Sequence, residues 1–323
     1  MERNKSLDVV KCIAVISVII YHITEITGNL ILKSFINTYF LSIFFFVSGY
    51  LINRDKICLE WIRRKFVYLI IPFFVGAVCL QIFAGILRKS WYNDAFSFVI
   101  DDAKGGYWFL FVLFFFFCIL AIILKVENVC KSIFIKFIVL TIPFFIATIS
   151  SFMLPDFICS TLSIYSFRRY WLLFIFGYLM KNYSKIGIEN PNIGRISLAL
   201  YIPLSIYYSF TIRELQSNVD FLFWLLVNVL SIHAWLFISH VCETKFSLKK
   251  MTMIGTNTLG IYVFQFYPIL LCKQYLPHPT GGLNCFLYTL VATAITLSIA
   301  FLMVCFCKKN RHLSLLFLGN YKK

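Results

Sequence analysis

The chain has 323 residues, of which 60% are hydrophobic, 19% aromatic and only 14% charged. This balance excludes a soluble globular core and predicts a polytopic membrane protein. The net charge of +16 comes from 30 Lys and Arg residues, and their placement among the loops favours a topology signal over nucleic-acid binding, so no nucleic-acid partner is expected.

The first apolar run, residues 7–27, carries four ionisable side chains: Asp8, Lys11, His22 and Glu25. Ionisable groups inside a membrane span are costly unless they are paired or hydrated, so they usually face the bundle or a watery cavity. At about 100° per residue, all four fall on one stripe about 100° wide, which leaves the rest of the helix to face lipid. The run has no small-residue cleavage motif and is not a cleaved signal peptide.

Each of these four residues has more than one interpretation. His22 lies about 20 Å along the helix axis from Asp8, where it is either a buried structural histidine or a general base that titrates near neutral pH. Asp8 and Lys11 form either an i,i+3 ion pair at the membrane surface or part of a donor site. Glu25 is either a solvated residue at the rim or a partner for the second nitrogen of His22.

Ten apolar runs predict an all-α membrane bundle of about ten transmembrane helices. Their expected boundaries are 7–27, 34–52, 66–87, 107–124, 134–153, 170–183, 195–212, 219–241, 252–273 and 284–307. An even number of spans places both termini on one side, and most of the 30 Lys and Arg residues then lie in loops on that side. The positive-inside rule therefore makes both termini cytoplasmic.

No loop is long enough for a second domain, so residues 1–323 are predicted to form a single transmembrane domain with no appended soluble domain. The longest outer segment, 88–106, is expected at the outer mouth of the bundle. The 11 cysteines are scattered without metal-ligand spacing, so neither a metal nor another bound cofactor is expected.

Three groups of polar residues are further site candidates. Arg63, Arg64 and Lys65 follow Trp61 in a cytoplasmic loop; they form either a belt that anchors lipid headgroups or an anion site for a phosphate-bearing donor. The second group is Arg168 and Arg169, at the outer entry of the sixth span. The third group is Ser48 and Asn257, which are uncharged polar residues within apolar helices. The arginines either anchor headgroups or bind an anionic sugar or lipid-linked pyrophosphate, and the uncharged pair either lines a cavity or bonds neighbouring helices.

Several segments, in chain order, carry a resemblance to a known family. They are Leu7-Asp8, Lys11 and His22 followed by FFFVSGYLI at 44–52, WIRRKFVYLIIPFF at 61–74, GYWFL at 106–110, FIFGYL at 174–179 and IGTNTLGIYVF at 254–264. No single segment is specific, but together they cover nearly the whole chain and resemble the membrane acyltransferase family 3. These multi-span enzymes move acyl groups, usually acetyl, onto surface polysaccharides and related acceptors.

The resemblance implies an O-acyltransferase of a bacterial inner (plasma) membrane. It implies transfer from cytoplasmic acetyl-CoA to a hydroxyl of a surface polysaccharide or lipid-linked sugar, with His22 as the catalytic base and Glu25 beside it. The remaining roles are expected as follows: donor binding by Asp8, Lys11, Arg63, Arg64 and Lys65, acceptor binding by Arg168 and Arg169, and cavity lining by Ser48, Trp108, Asn257 and Tyr262.

The chain departs from the family pattern at three positions. Tyr68 stands four residues before Pro72, where an Arg or Lys is frequent. Lys11 stands where an Arg is frequent, which keeps the charge but not a bidentate grip. Gln265 stands where a His is common, so that position does not titrate and His22 carries most of the acid–base weight. Two rival functions stay open: a transporter or flippase of a lipid-linked glycan, and a non-catalytic partner in polysaccharide assembly. Transporters tend to show broken helices in matching halves, and no such pair is evident in the sequence.

Overall fold

The computed structural model of the chain describes residues 4–88, 97–127, 132–184, 187–188, 190–211, 217–276 and 279–320, and all regular elements within these ranges are helical. The α-helices in chain order are α1 (Lys5–Thr27), α2 (Leu30–Ile36), α3 (Phe40–Tyr50), α4 (Leu59–Arg88), α5 (Ser97–Ile100), α6 (Trp108–Glu127), α7 (Ile133–Met153), α8 (Asp156–Thr161), α9 (Ile164–Asn182), α10 (Pro191–Thr211), α11 (Asn218–Lys245), α12 (Lys249–Gly255), α13 (Thr258–Phe264), α14 (Phe266–Tyr275), α15 (Gly282–Lys309) and α16 (Arg311–Leu318). Short 3-10 turns cover Arg54–Lys56 and Lys104–Gly106. Residues 89–96 of the expected outer segment and residue 212 of the seventh expected span lie outside the described residues.

Seven helical segments within the described ranges are long and apolar enough to cross a membrane: Lys5–Thr27, Leu30–Tyr50, Leu59–Leu87, Trp108–Lys125, Phe134–Met153, Asn218–Lys245 and Gly282–Lys309. They confirm an all-helical architecture with several membrane spans. The expected spans 170–183 and 195–212 overlap α9 and α10, which are helical but are not among these seven segments. The count of ten spans and the side of the termini stay predictions.

The expected span 252–273 is divided into α12, α13 and α14. The first break lies at Thr256 and Asn257, and the second lies at Gln265. Broken helices are tolerated at membrane depth only where the backbone is buried in protein or lines a cavity. A functional site is therefore expected near these three short helices.

The chain forms two compact units. The first unit comprises Met1–Ser48 and Leu179–Met303, and the second unit comprises Gly49–Tyr178 and Val304–Lys323.

Within the first unit, α1 is the element against which most other helices pack. It begins where the Asn4 side chain accepts a hydrogen bond from the Leu7 N–H (3.1 Å), and it ends at Gly28, which has left-handed backbone angles. It contacts α2, α11, α12, α13 and α14. Apolar residues all round α1, including Val10, Cys12, Val15 and Ile19, are consequently buried, and the expectation that most of this helix faces lipid is wrong.

Buried polar contacts join the helices of the first unit. The Ser17 hydroxyl lies 2.8 Å from the Tyr39 hydroxyl, and the Ser42 hydroxyl donates to the side-chain oxygen of Asn228 in α11. The Asn228 amide in turn donates to the Trp224 carbonyl (2.7 Å). Such hydrogen bonds hold transmembrane helices together where the hydrophobic effect offers little preference.

The second unit packs α4 against α6 and α16, and α6 against α7. Its core is aromatic: the Phe116 ring lies 5.1 Å from the Trp171 ring, and the Trp171 indole N–H donates to the Leu140 carbonyl (2.9 Å). Edge-to-face ring pairs of this kind add to the stabilisation that burial alone provides.

Lys104 is the one charged side chain of the described residues that is completely buried. Its ammonium donates to the carbonyl oxygens of Asp101 (2.9 Å) and Ser160 (2.8 Å). Burial lowers the pKa of Lys104, because the charged form loses hydration. Within the second unit, Lys104 thus connects the segment before α6 to the end of α8.

Candidate active site

The N-terminal part of α1 holds an ion pair in which the carboxylate is buried and the ammonium is half-buried. The Lys11 ammonium lies 2.7 Å from an Asp8 carboxylate oxygen, and both residues project from the first turns of the helix. A buried charge of this kind persists only when a partner compensates for its lost hydration. The pair therefore leaves Lys11 partly neutralised.

Gly255, at the end of α12, permits a close approach to the same part of α1. A Cβ atom at this position would lie 1.8 Å from the Asp8 carbonyl oxygen, so no side chain fits there. The two backbones consequently touch beside the Asp8–Lys11 pair.

A cleft of about 440 Å³ opens in the first unit at the N-terminal end of α1. It is lined by Lys5, Glu243, Phe246, Ser247, Leu248, Lys249, Thr252, Met253 and Thr256. Glu243 accepts a hydrogen bond from the Ser6 hydroxyl (2.6 Å), whereas the two lysines supply positive charge. The volume falls in the usual range of small-molecule sites, and the sequence-based assignments include none of these residues.

His22 lies near the other end of α1, between aromatic rings. The centre of its imidazole lies 4.9 Å from the Phe266 ring of α14 and 5.5 Å from the Tyr21 ring. The His22 side chain is 25% exposed. It is thus neither completely buried nor fully exposed.

Glu25 faces the Nδ1 atom of His22 at 3.8 Å, a separation that is too long for a hydrogen bond. Its other carboxylate oxygen accepts a hydrogen bond from the Lys33 ammonium at 3.0 Å. The hypothesis that Glu25 is the partner of His22 therefore stays a prediction, as does the alternative of a rim residue, and the Glu25 side chain is 48% exposed.

Sequence reasoning missed the role of Lys33 in this cluster. The residue lies in α2, and the chain reaches it from Glu25 through the turn at Gly28 and Asn29. The Asn29 side chain accepts a hydrogen bond from the Leu32 N–H (3.0 Å), which starts α2. The Gly-Asn pair after an apolar run is the one signal that indicates a helix end here.

Three expected cavity-lining residues belong to the first unit. Ser48 is half-buried in α3, and Tyr262 is buried in α13, where its ring lies 6.2 Å from that of Phe266. Asn257 is buried at the start of α13, and its amide donates to the Met253 carbonyl (2.7 Å). Tyr262 is therefore connected through Phe266 to the surroundings of His22, whereas Asn257 stabilises the break between α12 and α13.

The expected basic donor residues of the second unit differ from one another. Arg63 and Arg64 are exposed on α4, and Glu60 lies 3.8 Å and 3.3 Å from their guanidinium nitrogens. The Lys65 ammonium instead lies over two aromatic rings, 4.2 Å from the centre of Phe117 and 5.3 Å from that of Trp61. Cation–π contacts of this kind hold Lys65 against α6.

The remaining expected residues of the second unit are likewise in contact with aromatic rings. The Arg168 guanidinium lies 5.3 Å from the centre of the Phe152 ring, and that of Arg169 lies 5.6 Å from the Tyr170 ring. Trp108 is half-buried and stacks on Tyr170 at 5.6 Å. Of the expected site residues, the first unit thus contains Asp8, Lys11, His22, Glu25, Ser48, Asn257 and Tyr262, and the second unit contains the others.

Comparison with known proteins places these features in a family. A family model described as an acyltransferase domain, that of acyltransferase family 3, matches residues 4–305. No curated protein and no solved structure matches the chain. Because the match includes α1 and extends almost to the end of α15, the chain belongs to acyltransferase family 3 and is a membrane acyltransferase.

Proposed function

We propose that the protein transfers an acetyl or similar acyl group from a cytoplasmic CoA thioester to a hydroxyl of a surface or lipid-linked sugar, with His22 as general base. One observation carries this proposal. Glu25 faces Nδ1 of a partly exposed imidazole, and Lys33 holds that carboxylate in place. A carboxylate on the Nδ1 side of the ring leaves the other nitrogen, Nε2, to take a proton from a substrate.

The reaction needs one proton acceptor and one electrophile. His22 Nε2 takes the proton of the acceptor hydroxyl, and the hydroxyl oxygen forms a bond to the thioester carbonyl carbon. The carbon–sulfur bond then breaks, and the departing CoA thiolate takes the proton from the imidazolium. The products are an ester and free CoA, and the histidine returns to its starting state.

The cleft at the start of α1 supports an elongated anionic donor. Lys5 and Lys249 supply the positive charge that phosphate groups require, and Phe246 and Met253 supply apolar surface. Lys5 and His22 are about 25 Å apart along the helix. A donor whose phosphates occupy the cleft therefore has to cover this distance to present its thioester to His22.

In the second unit, Arg63 and Arg64 are exposed near the start of α4 and add positive charge there. The positive-inside rule predicts that this end of α4 is cytoplasmic. We assign them a long-range role in attracting CoA phosphates, since charges of one sign raise the local concentration of an oppositely charged ligand. Arg168 and Arg169 are assigned to an anionic sugar or pyrophosphate of the acceptor.

Mass spectrometry of the surface glycan tests this function in cells. A strain that lacks the protein should lose ester-linked acetyl groups from the glycan, and the parent gene should restore them. A transporter or flippase would change the amount of surface glycan and leave the acetyl content of each repeating unit unaltered. That result would reject the acyltransfer proposal in favour of transport.

A further inference from the structure

Gln265 is a buried amide in the break between α13 and α14. Its side chain is completely buried, and neither its oxygen nor its nitrogen has a hydrogen-bond partner among the described residues. Although Gln265 occupies the N-cap position of α14, its side chain makes no capping bond. Folded proteins leave few buried polar groups without partners, because each one forfeits its hydration for no return.

The position of this amide connects it to the candidate active site. Both helices that meet at Gln265 pack against α1, and all three belong to the first unit. The next residue, Phe266, places its ring 4.9 Å from the His22 imidazole. Gln265 thus directly precedes, in the chain, the residue whose ring contacts the proposed base.

The chemistry of the amide restricts what it can contribute there. A glutamine side chain donates and accepts hydrogen bonds but does not titrate, so it cannot share the proton transfer of His22. In acyl transfer, the carbonyl oxygen gains negative charge as the new carbon–oxygen bond forms. A fixed N–H group aimed at that oxygen stabilises the transition state, and a Gln side chain is one of the groups that serve this purpose.

We propose that Gln265 is a catalytic residue whose Nε2 donates a hydrogen bond to the acyl carbonyl oxygen while the tetrahedral intermediate exists. The intermediate forms when the acceptor oxygen bonds to the carbonyl carbon and the carbonyl π electrons move to the oxygen. It collapses when these electrons return and the carbon–sulfur bond breaks. This inference rests on the proposed function, because it needs a thioester or an equivalent acyl donor.

Gln265→Met tests the proposal, because it keeps the length of the side chain and removes the amide. We expect kcat for acyl transfer to fall by about 10²-fold or more, while KM for the thioester changes by less than about threefold. Gln265→Leu, which also removes the amide donor, should lose a similar part of kcat.

Thermal stability separates this role from a structural one. Gln265→Met should leave the Tm of the purified protein unchanged or raised, because the amide that it removes has no partner in the fold. The matched control is Asn228→Leu, which removes an equally buried amide that is bonded to Ser42 and Trp224 and should therefore lower the Tm.

Three outcomes overturn the inference. The first is a Gln265→Met enzyme with kcat within about threefold of the parent, while His22→Ala is inactive; the proposed function would then stand without Gln265. The second is a fall in Tm as large as that of Asn228→Leu. The third is a parent protein that transfers no acyl group from any CoA thioester, which rejects the proposed function together with this inference.

Discussion

The Lys33 ammonium lies 3.0 Å from a carboxylate oxygen of Glu25, across the turn at Gly28 that separates the first two helices. The second oxygen of the same carboxylate faces His22. The Glu25 carboxylate therefore lies between Lys33 and the imidazole, and the turn between the helices brings the three side chains together.

This arrangement predicts that Lys33 is a positioning residue. Lys33→Met should lower kcat by about 10-fold, less than the 10²–10⁴-fold that a positioned base contributes, whereas Lys33→Arg should restore most of the loss. Steady-state kinetics and the Tm of both variants provide the measurement. Equal activity of Lys33→Met and the parent would remove Lys33 from the site, and a fall in Tm for Lys33→Met alone would make its role structural.

The ion pair at the start of α1 predicts a coupling between two residues. Lys11→Met removes the ammonium 2.7 Å from the Asp8 carboxylate and should lower the free energy of unfolding by about 3–5 kcal/mol. The double variant Asp8→Asn with Lys11→Met should recover part of this loss, because it removes both charges of the pair. Thermal unfolding in detergent measures both effects.

Lys11→Arg should retain substantial activity and stability, because it preserves the charge that faces Asp8. If Lys11→Met unfolds at the same temperature as the parent, the pair makes no net contribution and is ordinary surface pairing.

The contact between α12 and α1 predicts a strong response to the smallest possible substitution. Gly255→Ala adds a Cβ atom 1.8 Å from the Asp8 carbonyl oxygen, so α12 has to move and the folded protein should become scarce in membranes. Gly282→Ala is the matched control, since a Cβ there meets no atom within 4 Å. Normal amounts of a fully active Gly255→Ala protein would disprove the close approach.

The cleft predicts a change in donor binding without a change in chemistry. Lys5→Ala with Lys249→Ala should raise KM for the CoA thioester several-fold and leave kcat almost unchanged, because phosphate contacts bind ground state and transition state alike. Lys250→Ala, which alters an adjacent exposed lysine that does not line the cleft, is the control. An equal rise in KM for the control would show that the effect on donor binding comes from the general surface charge and not from the cleft.

The family and the helical membrane architecture could be predicted from the sequence, because long apolar runs and the order of short motifs can be recognised without knowing how the helices pack. The division of residues 252–273 into three helices could not be predicted in this way. Hydropathy averages over a window, so Asn257 and Gln265 scarcely change a strongly apolar segment even though the helix breaks at each of them.

The candidate site was predictable where partners are close in sequence. Asp8 with Lys11 and His22 with Glu25 are both i,i+3 pairs on one helix, and both are observed. Contacts that depend on tertiary packing were not predictable. The ring of Phe266 meets His22 only because α14 packs on α1, and no local pattern shows it.

Acyl transfer by purified protein in lipid vesicles tests the role of His22 most directly. The assay follows labelled acetyl groups from acetyl-CoA to a glycan acceptor, and compares His22→Ala with His233→Ala, which alters another half-buried histidine of the first unit. We predict that both variants insert and fold normally, that His22→Ala transfers no label, and that His233→Ala remains active. Transfer by His22→Ala at the parent rate would contradict the assignment of this imidazole as the base.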